Sequence, residues 1–286
     1  VKTITELILE RELLQEATRS RYKLREQFVE TMLQTDLLNA LPKVKRLAKA
    51  ININLAVPRA VAVTDMAPFI QMAVSGYGTS ELVLERSTEA ILKHIEQEGL
   101  VQNQDIAVIW DERLIVLKAF GPAWQPEQAT EWGRTLLSGL RVLSPEIACC
   151  GIGSISASLG DYSVSYRQAC YCLTHCQTHS PLQSIYERRL LFDYLLTETA
   201  SPATNTALAP LAQKFRDFLD KKKDGRKTLA TLLEANLNLS NAADMLHVHR
   251  NTLMFRLDQL QRITGLDPAH HFEDAVLCRI LLEANK

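Results

Sequence analysis

The chain lacks several features that would place it outside ordinary globular proteins. In its 286 residues no apolar run approaches the roughly 18 residues of a membrane span. The opening segment, Val1-Lys-Thr-Ile-Thr-Glu, is not a basic stretch leading into an apolar one, so it gives no sign of secretion. Six cysteines show no secreted framework spacing, and a reducing cytoplasm is the simpler setting. Glycine and proline number only 11 and 10, which excludes collagen-like and low-complexity chains. Net charge is also nearly absent, at −1. What is present is a 47% apolar chain, long enough for two folded units with cores of their own.

The charge total hides an asymmetry. Residues 221–286 hold ten Lys/Arg against eight Asp/Glu and four of the seven histidines, a net of +2 that leaves −3 for the rest. Local charge governs phosphate attraction, so the total excludes nothing.

Periodicity divides the chain into three stretches. Residues 1–40 read as a linker or signalling helix. Its weak heptad of Leu7, Leu14 and Phe28, offset by Ala17 and Leu24 and interrupted by Arg21, suits a coiled coil with a second copy, a connection between domains, or packing on its own domain. A short helix follows Pro42. Residues 41–196 then alternate: strand 59–64, helix 82–97, a hairpin of 106–110 and 114–120, a helix from Pro126, strand 147–152, a helix through Tyr162, Tyr166, Ala169 and Leu173, and strand 182–186. A hairpin framed by two crossover helices predicts a split β-α-β arrangement with helices on one face of the sheet, an α+β fold. Residues 197–210, TETASPATNTALAP, read as a linker into an all-α segment ending at 286.

Cys172, His175, Cys176 and His179 would share one helical face. Four ligands on one helix cannot easily surround a tetrahedral ion, and small buried cysteines explain them equally well, so no metal or cofactor is expected. Gly76-Tyr-Gly78 lacks the context of a dinucleotide loop and reads as a turn.

Residues 227–265, KTLATLLEANLNLSNAADMLHVHRNTLMFRLDQLQRITG, carry the functional signal. Ser240 is placed to cap a short helix whose inner face is Ala242, Ala243 and Leu246. After the break at 247–249 a longer helix presents Leu253, Leu257 and Leu260 inward. Ala243, Val248 and Leu253, five and five apart, form with Leu246 and Leu257 the core of a helix-turn-helix. His249, Arg250, Asn251 and Thr252 occupy the first turn of the second helix, which can enter a major groove. Phe255 can meet a thymine methyl or pack, and Arg256 suits a guanine or a phosphate. His247 stands where a glycine is common, at a turn needing a left-handed conformation. The pattern also admits an unrelated helical bundle or a protein-interaction module.

The segment 231–268, TLLEANLNLSNAADMLHVHRNTLMFRLDQLQRITGLDP, resembles the C-terminal helix-turn-helix of PucR-type regulators, and of their carbohydrate diacid (CdaR-like) subset in particular. HVHRNTLMFRLDQL is its most specific part. Gly151-Ile-Gly153 and Ser165-Tyr-Arg-Gln-Ala169 resemble the degenerate GGDEF, or cyclase-like, domain of such regulators. The resemblance implies a cytoplasmic, dimeric bacterial transcription regulator, usually an activator, that binds double-stranded operator DNA. It further implies a sugar-diacid effector reaching the protein through a sensor domain ahead of residue 1, consistent with the helical start at Val1, and no membrane association.

A catalytic cyclase places a glycine-rich acidic signature at the central hairpin. Here the hairpin reads Trp110-Asp111-Glu112-Arg113-Leu114, without glycines and with Arg113 in place of a carboxylate. Asp65 and Glu112 are either remnants of a magnesium site or a turn residue and a solvated tip. The chain is therefore expected not to be an enzyme, the alternative being a nucleotide-binding or signalling enzyme of the cyclase-like fold.

Overall fold

The computed structural model describes residues 4–33, 37–77, 81–176, 180–199, 202–222 and 224–284. Contacts divide the chain into two compact units, 1–191 and 192–286. The structure is α+β, with its sheet in the first unit and helices alone in the second.

In the first unit, helices α1 (Ile4–Leu33) and α2 (Leu37–Ala50) precede strand β1 (Arg59–Asp65). Two helices follow, α3 (Ala67–Tyr77) and α4 (Glu81–Gln97). The hairpin β2 (Ile106–Trp110) and β3 (Arg113–Ala119), helix α5 (Pro126–Leu143), β4 (Cys150–Ile152), α6 (Tyr162–Thr174) and β5 (Leu182–Ser184) complete it. The strand order is β2-β3-β1-β4-β5. β1 runs antiparallel to both neighbours, and only β4 and β5 are parallel. The expected split β-α-β topology is thus present.

Two expectations are corrected here. Helices cover both faces of the sheet, because successive residues of β1 are apolar and the strand is buried from Arg59 through Thr64. Ala60 and Ala62 pack with Leu114, Val116 and residues of α3, α4 and α5, including Ile70, Ile95 and Leu136. Val61 and Val63 pack on the opposite side with Ile115, Leu117 and residues of α1, α2 and α6. The second correction is α3, which the alternating pattern did not contain. Pro68 lies in its first turn, where a missing N–H costs nothing, and Asp65 Oδ1 accepts the Ala67 N–H at 2.9 Å. Gly76 and Tyr77 end this helix rather than forming a turn of their own; Gly78 lies outside the described residues.

The heptad of α1 resolves in favour of its own domain over its second half. Phe28, Val29 and Met32 are buried against the sheet, each contributing about 1.5–3 kcal/mol. Arg21, the interruption, bonds Glu96 of α4 at 3.1 Å. Ala17 is exposed, and the side chains of Leu7 and Leu14 lie outside the described residues.

The two glycines of Gly151-Ile-Gly153 let α6 lie directly on β4. A Cβ at Gly151 would stand 2.1 Å from the Ala169 carbonyl oxygen, and one at Gly153 2.0 Å from that of Ser165. In the space so opened, Ser165 Oγ donates to the Ser154 carbonyl at 2.7 Å and accepts from the Val61 N–H at 3.1 Å.

The stretch 197–210, expected as a linker, is helical wherever it is described. Helix α7 (Arg188–Thr199) runs into it, and α8 (Pro202–Lys221) begins on its first proline and continues through Pro210. Packing overrides the local signal, for Phe215 and Phe218 of α8 are buried in the core of the second unit. That core also takes residues of α9 (Gly225–Glu234), α10 (Leu239–Met245), α11 (Arg250–Thr264) and α12 (Phe272–Ala284).

Candidate nucleic-acid interface

Helices α10 and α11 are the two arms of the expected motif. α10 begins two residues earlier than the sequence suggested, and its cap is Asn238 rather than Ser240. Asn238 Oδ1 accepts the N–H groups of Ser240 and Asn241, both at 3.1 Å. Both are good capping residues, and backbone geometry decides between them: Asn238 is extended while Ser240 is already helical.

α10 ends in a Schellman motif. His247 adopts φ 55°, its N–H donates to Asp244, and the Val248 N–H donates to Ala243, both bonds at 3.0 Å. The left-handed residue anticipated at His247 is therefore present without glycine. Ala243, Leu246, Leu253 and Leu257 are buried and Val248 is partly so, all packed in the core of the second unit.

α11 starts from His249, whose Nδ1 accepts the Asn251 N–H at 3.2 Å. An accepting Nδ1 carries no proton, so in this capped state the ring proton sits on Nε2, on an exposed side chain. Arg250, Asn251 and Thr252 are exposed along the same first turn, and Phe255 is 58% exposed one turn later. Among the described residues no side-chain hydrogen bond engages the side chains of Arg250, Asn251 or Thr252. The positive end of the α11 dipole, a histidine donor, a guanidinium, an amide and a hydroxyl thus share one solvent-facing patch.

Arg256 differs. Its guanidinium donates to Thr228 Oγ1 at 3.0 Å and to Asp224 Oδ2 at 2.9 Å, spanning from α11 to the start of α9. Asp224 sits at the N-cap of α9 yet offers its carboxylate to Arg256 instead of the helix backbone. No local sequence signal points to these partners, which lie 28 and 32 residues away. Of the lysine run before α9, Lys221 is exposed and Lys223 lies outside the described residues.

Two family models match this chain. One, the PucR C-terminal helix-turn-helix domain, covers residues 226–284; the other, a GGDEF-like domain, covers 38–175. The chain carries a PucR-type helix-turn-helix behind a GGDEF-like domain. Together with the similarity below, the two matches support a transcription regulator with a PucR-type helix-turn-helix. It is similar to the carbohydrate diacid regulator of Escherichia coli, with 24% identity over 98% of this chain and 70% of that protein. The uncharacterized protein YxkF of Bacillus subtilis is 32% identical over 27% of this chain, spanning only 25% of YxkF. Among solved structures, the regulator of polyketide synthase expression from Bifidobacterium adolescentis aligns over 93% of this chain and 92% of its own, at 18% identity and a TM-score of 0.38.

In the GGDEF-like domain the hairpin tip is a two-residue turn. Asp111 and Glu112 have φ of 51° and 56°, and both side chains are exposed. Glu112 contributes its carbonyl to the Met66 N–H at 2.9 Å, and Asp65 caps α3, so both have local structural duties. Arg113 approaches Cys170 Sγ at 3.8 Å, and hydrogen bonding with Tyr166 raises its pKa further.

The cysteine-histidine row also finds local partners. Cys172 is buried in the domain, and desolvation pushes its thiol up to about 12. His175 Nδ1 lies 2.8 Å from the Tyr171 carbonyl oxygen. Cys176 Sγ donates toward carbonyls of Cys150, Cys172 and Pro181. His179 lies outside the described residues, and among the described residues no group of three or more potential ligands gathers. No described helix is long and apolar enough to cross a membrane.

Proposed function

We propose that this regulator reads operator DNA with the first turn of α11 in the major groove. The observation that carries this reading is the exposed row His249, Arg250, Asn251 and Thr252, set at a capped helix start beside a bend closed by Ala243 and Val248. Phe255 adds an exposed apolar surface for a thymine methyl. Arg256 acts from behind, holding α11 against α9 rather than touching a base. One such helix supplies few base contacts, so two copies bind together as a homodimer on adjacent half-sites.

In this proposal the GGDEF-like domain is a non-catalytic platform, because its hairpin tip presents two acidic side chains and no glycine. The genes controlled are those of sugar-diacid use (glucarate, galactarate or glycerate type), activated in response to a diacid sensed outside these 286 residues. Support for that specificity is the similarity to the E. coli diacid regulator along nearly the whole chain. Its site of action is the cytoplasm, where the DNA is.

Fluorescence anisotropy with labelled promoter fragments tests the reading. The expected result is binding that survives non-specific competitor and weakens steeply with salt, with log K linear in log salt. Equal affinity for promoter and scrambled DNA would sink it. Turnover of GTP with magnesium into a cyclic product would overturn the non-catalytic assignment.

A further inference from the structure

The first unit holds a cavity of about 540 Å³ between α1, α4 and the loop leading into β2. Its volume lies within the range of small-molecule sites. α1 contributes Arg21 and Arg25, α4 contributes Glu96, and Asn52, Gln102 and Asn103 stand on the rim. Glu96 is shared by both arginines, at 2.7 Å from Arg25 and 3.1 Å from Arg21. Arg25 Nε is shielded from water and has no hydrogen-bond partner, so one carboxylate does not satisfy the pair.

The second carboxylate in the wall adds no free negative charge. Asp105 is held by Lys118 Nζ at 2.9 Å and by the N–H groups of Gln102 at 2.7 Å and Ala119 at 2.8 Å. Directly behind the wall lies a further cation. Arg59 is 1% exposed, and its guanidinium donates to the carbonyl oxygens of Gln104, Asn54 and Val57 at 3.0–3.1 Å, and more loosely to the Tyr162 hydroxyl at 3.5 Å. Among the described residues no carboxylate pairs with it. Arg21, Arg25, Glu96 and Asp105 line the cavity, while Lys118 on Asp105 and Arg59 on the Gln104 carbonyl stand behind its wall, so these six groups together carry an excess of two positive charges. In a partly buried setting that excess raises the local potential far more than it would in water.

We propose that this cavity is a binding site for a small oxyanion, a carboxylate or a phosphate. The guanidinium groups supply the charge, and the side-chain amides of Asn52, Gln102 and Asn103, which have no partner among the described residues, supply neutral donors. The ligand is shared between α1 and the body of the domain, so occupancy strengthens the docking of α1.

Isothermal titration of the full chain with sodium phosphate and, separately, sodium citrate tests this, against sodium chloride at matched ionic strength. Saturable binding of either salt above the chloride control is expected, and the arm that saturates tells phosphate from carboxylate. Arg21→Gln, at an exposed position, should weaken binding about fivefold or more, and Glu96→Gln should tighten it. Arg250→Ala should leave it unchanged, which separates this cavity from phosphate contacts on α11. Absence of saturable binding with both salts, or equal affinity in the Arg21 and Glu96 variants, would overturn the proposal.

Discussion

The guanidinium of Arg256 lies 2.9 Å from the carboxylate of Asp224, tying the outer side of the second motif helix to the start of α9. Its second bond, to Thr228, meets a residue that is 1% exposed and depends on protein partners. Arg256→Ala should therefore destabilise the second unit by about 1–3 kcal/mol, measured by urea denaturation. Affinity should fall by a similar factor on every operator variant, because the change moves the reading helix instead of deleting a base contact. Relaxed preference at a single base pair would return Arg256 to the base edge.

Arg250 is exposed in the first turn of α11, and its guanidinium has no hydrogen-bond partner among the described residues. Arg250→Ala should cost about 1–3 kcal/mol of specific binding and relax preference at one position. If it meets a phosphate, the loss is uniform across sequences and the salt slope falls by about one. Anisotropy on a panel of single-base operator variants separates these outcomes; unchanged affinity would remove Arg250 from the interface.

Gly151 carries α6 on its backbone. In Gly151→Ala the new methyl meets the Ala169 carbonyl oxygen and the Leu173 amide nitrogen, neither of which can turn aside as a side chain can. A loss of about 2–3 kcal/mol is expected in denaturant melts. Gly121→Ala, with nothing within 4 Å, is the control and should change stability by less than about 0.5 kcal/mol.

Burial pushes the thiols of Cys150, Cys172 and Cys278 up to about 12. In the unfolded chain the same groups ionise near 8.5. The native state thus retains protons that the unfolded state loses. This contribution is fully present below about pH 8.5 and disappears as pH rises toward 12. Denaturation midpoints should fall across that window, and Cys278→Ala should flatten the fall for the second unit. An equal slope in the variant would refute the assignment.

The motif helices were legible because their signal is local. Leu253, Leu257 and Leu260 mark one face of α11, and Ala243 and Val248 fix the bend within six residues. The split β-α-β arrangement was legible too, since a hairpin between crossover helices leaves few topologies. Burial of both sheet faces was harder to read: Ala60 to Val63 fit a strand covered once or twice, and only the partners on α1 and α6 decide. Residues 197–210 misled for a related reason, as the helix there depends on Phe215 and Phe218 further along. The partnership of Arg256 with Asp224 had no local trace. Neither residue departs from ordinary helix composition, and 32 positions separate them.

Three helices end in a left-handed residue that is not glycine: Asn52 after α2, Asn236 after α9 and His247 after α10. For an L-residue this conformation costs roughly 1–2 kcal/mol, with asparagine nearer the low end. The His247 side chain is exposed. The bend it makes is consequently a property of the assembled second unit, imposed by the bonds to Asp244 and Ala243 and by the core beneath Val248. A peptide cut to residues 238–264 should carry every side chain proposed to face a base and still lack a fixed angle between its two helices, which circular dichroism and binding of the peptide would check. In the proposed reading, the side chains of α11 supply the contacts and the turn at His247 aims them.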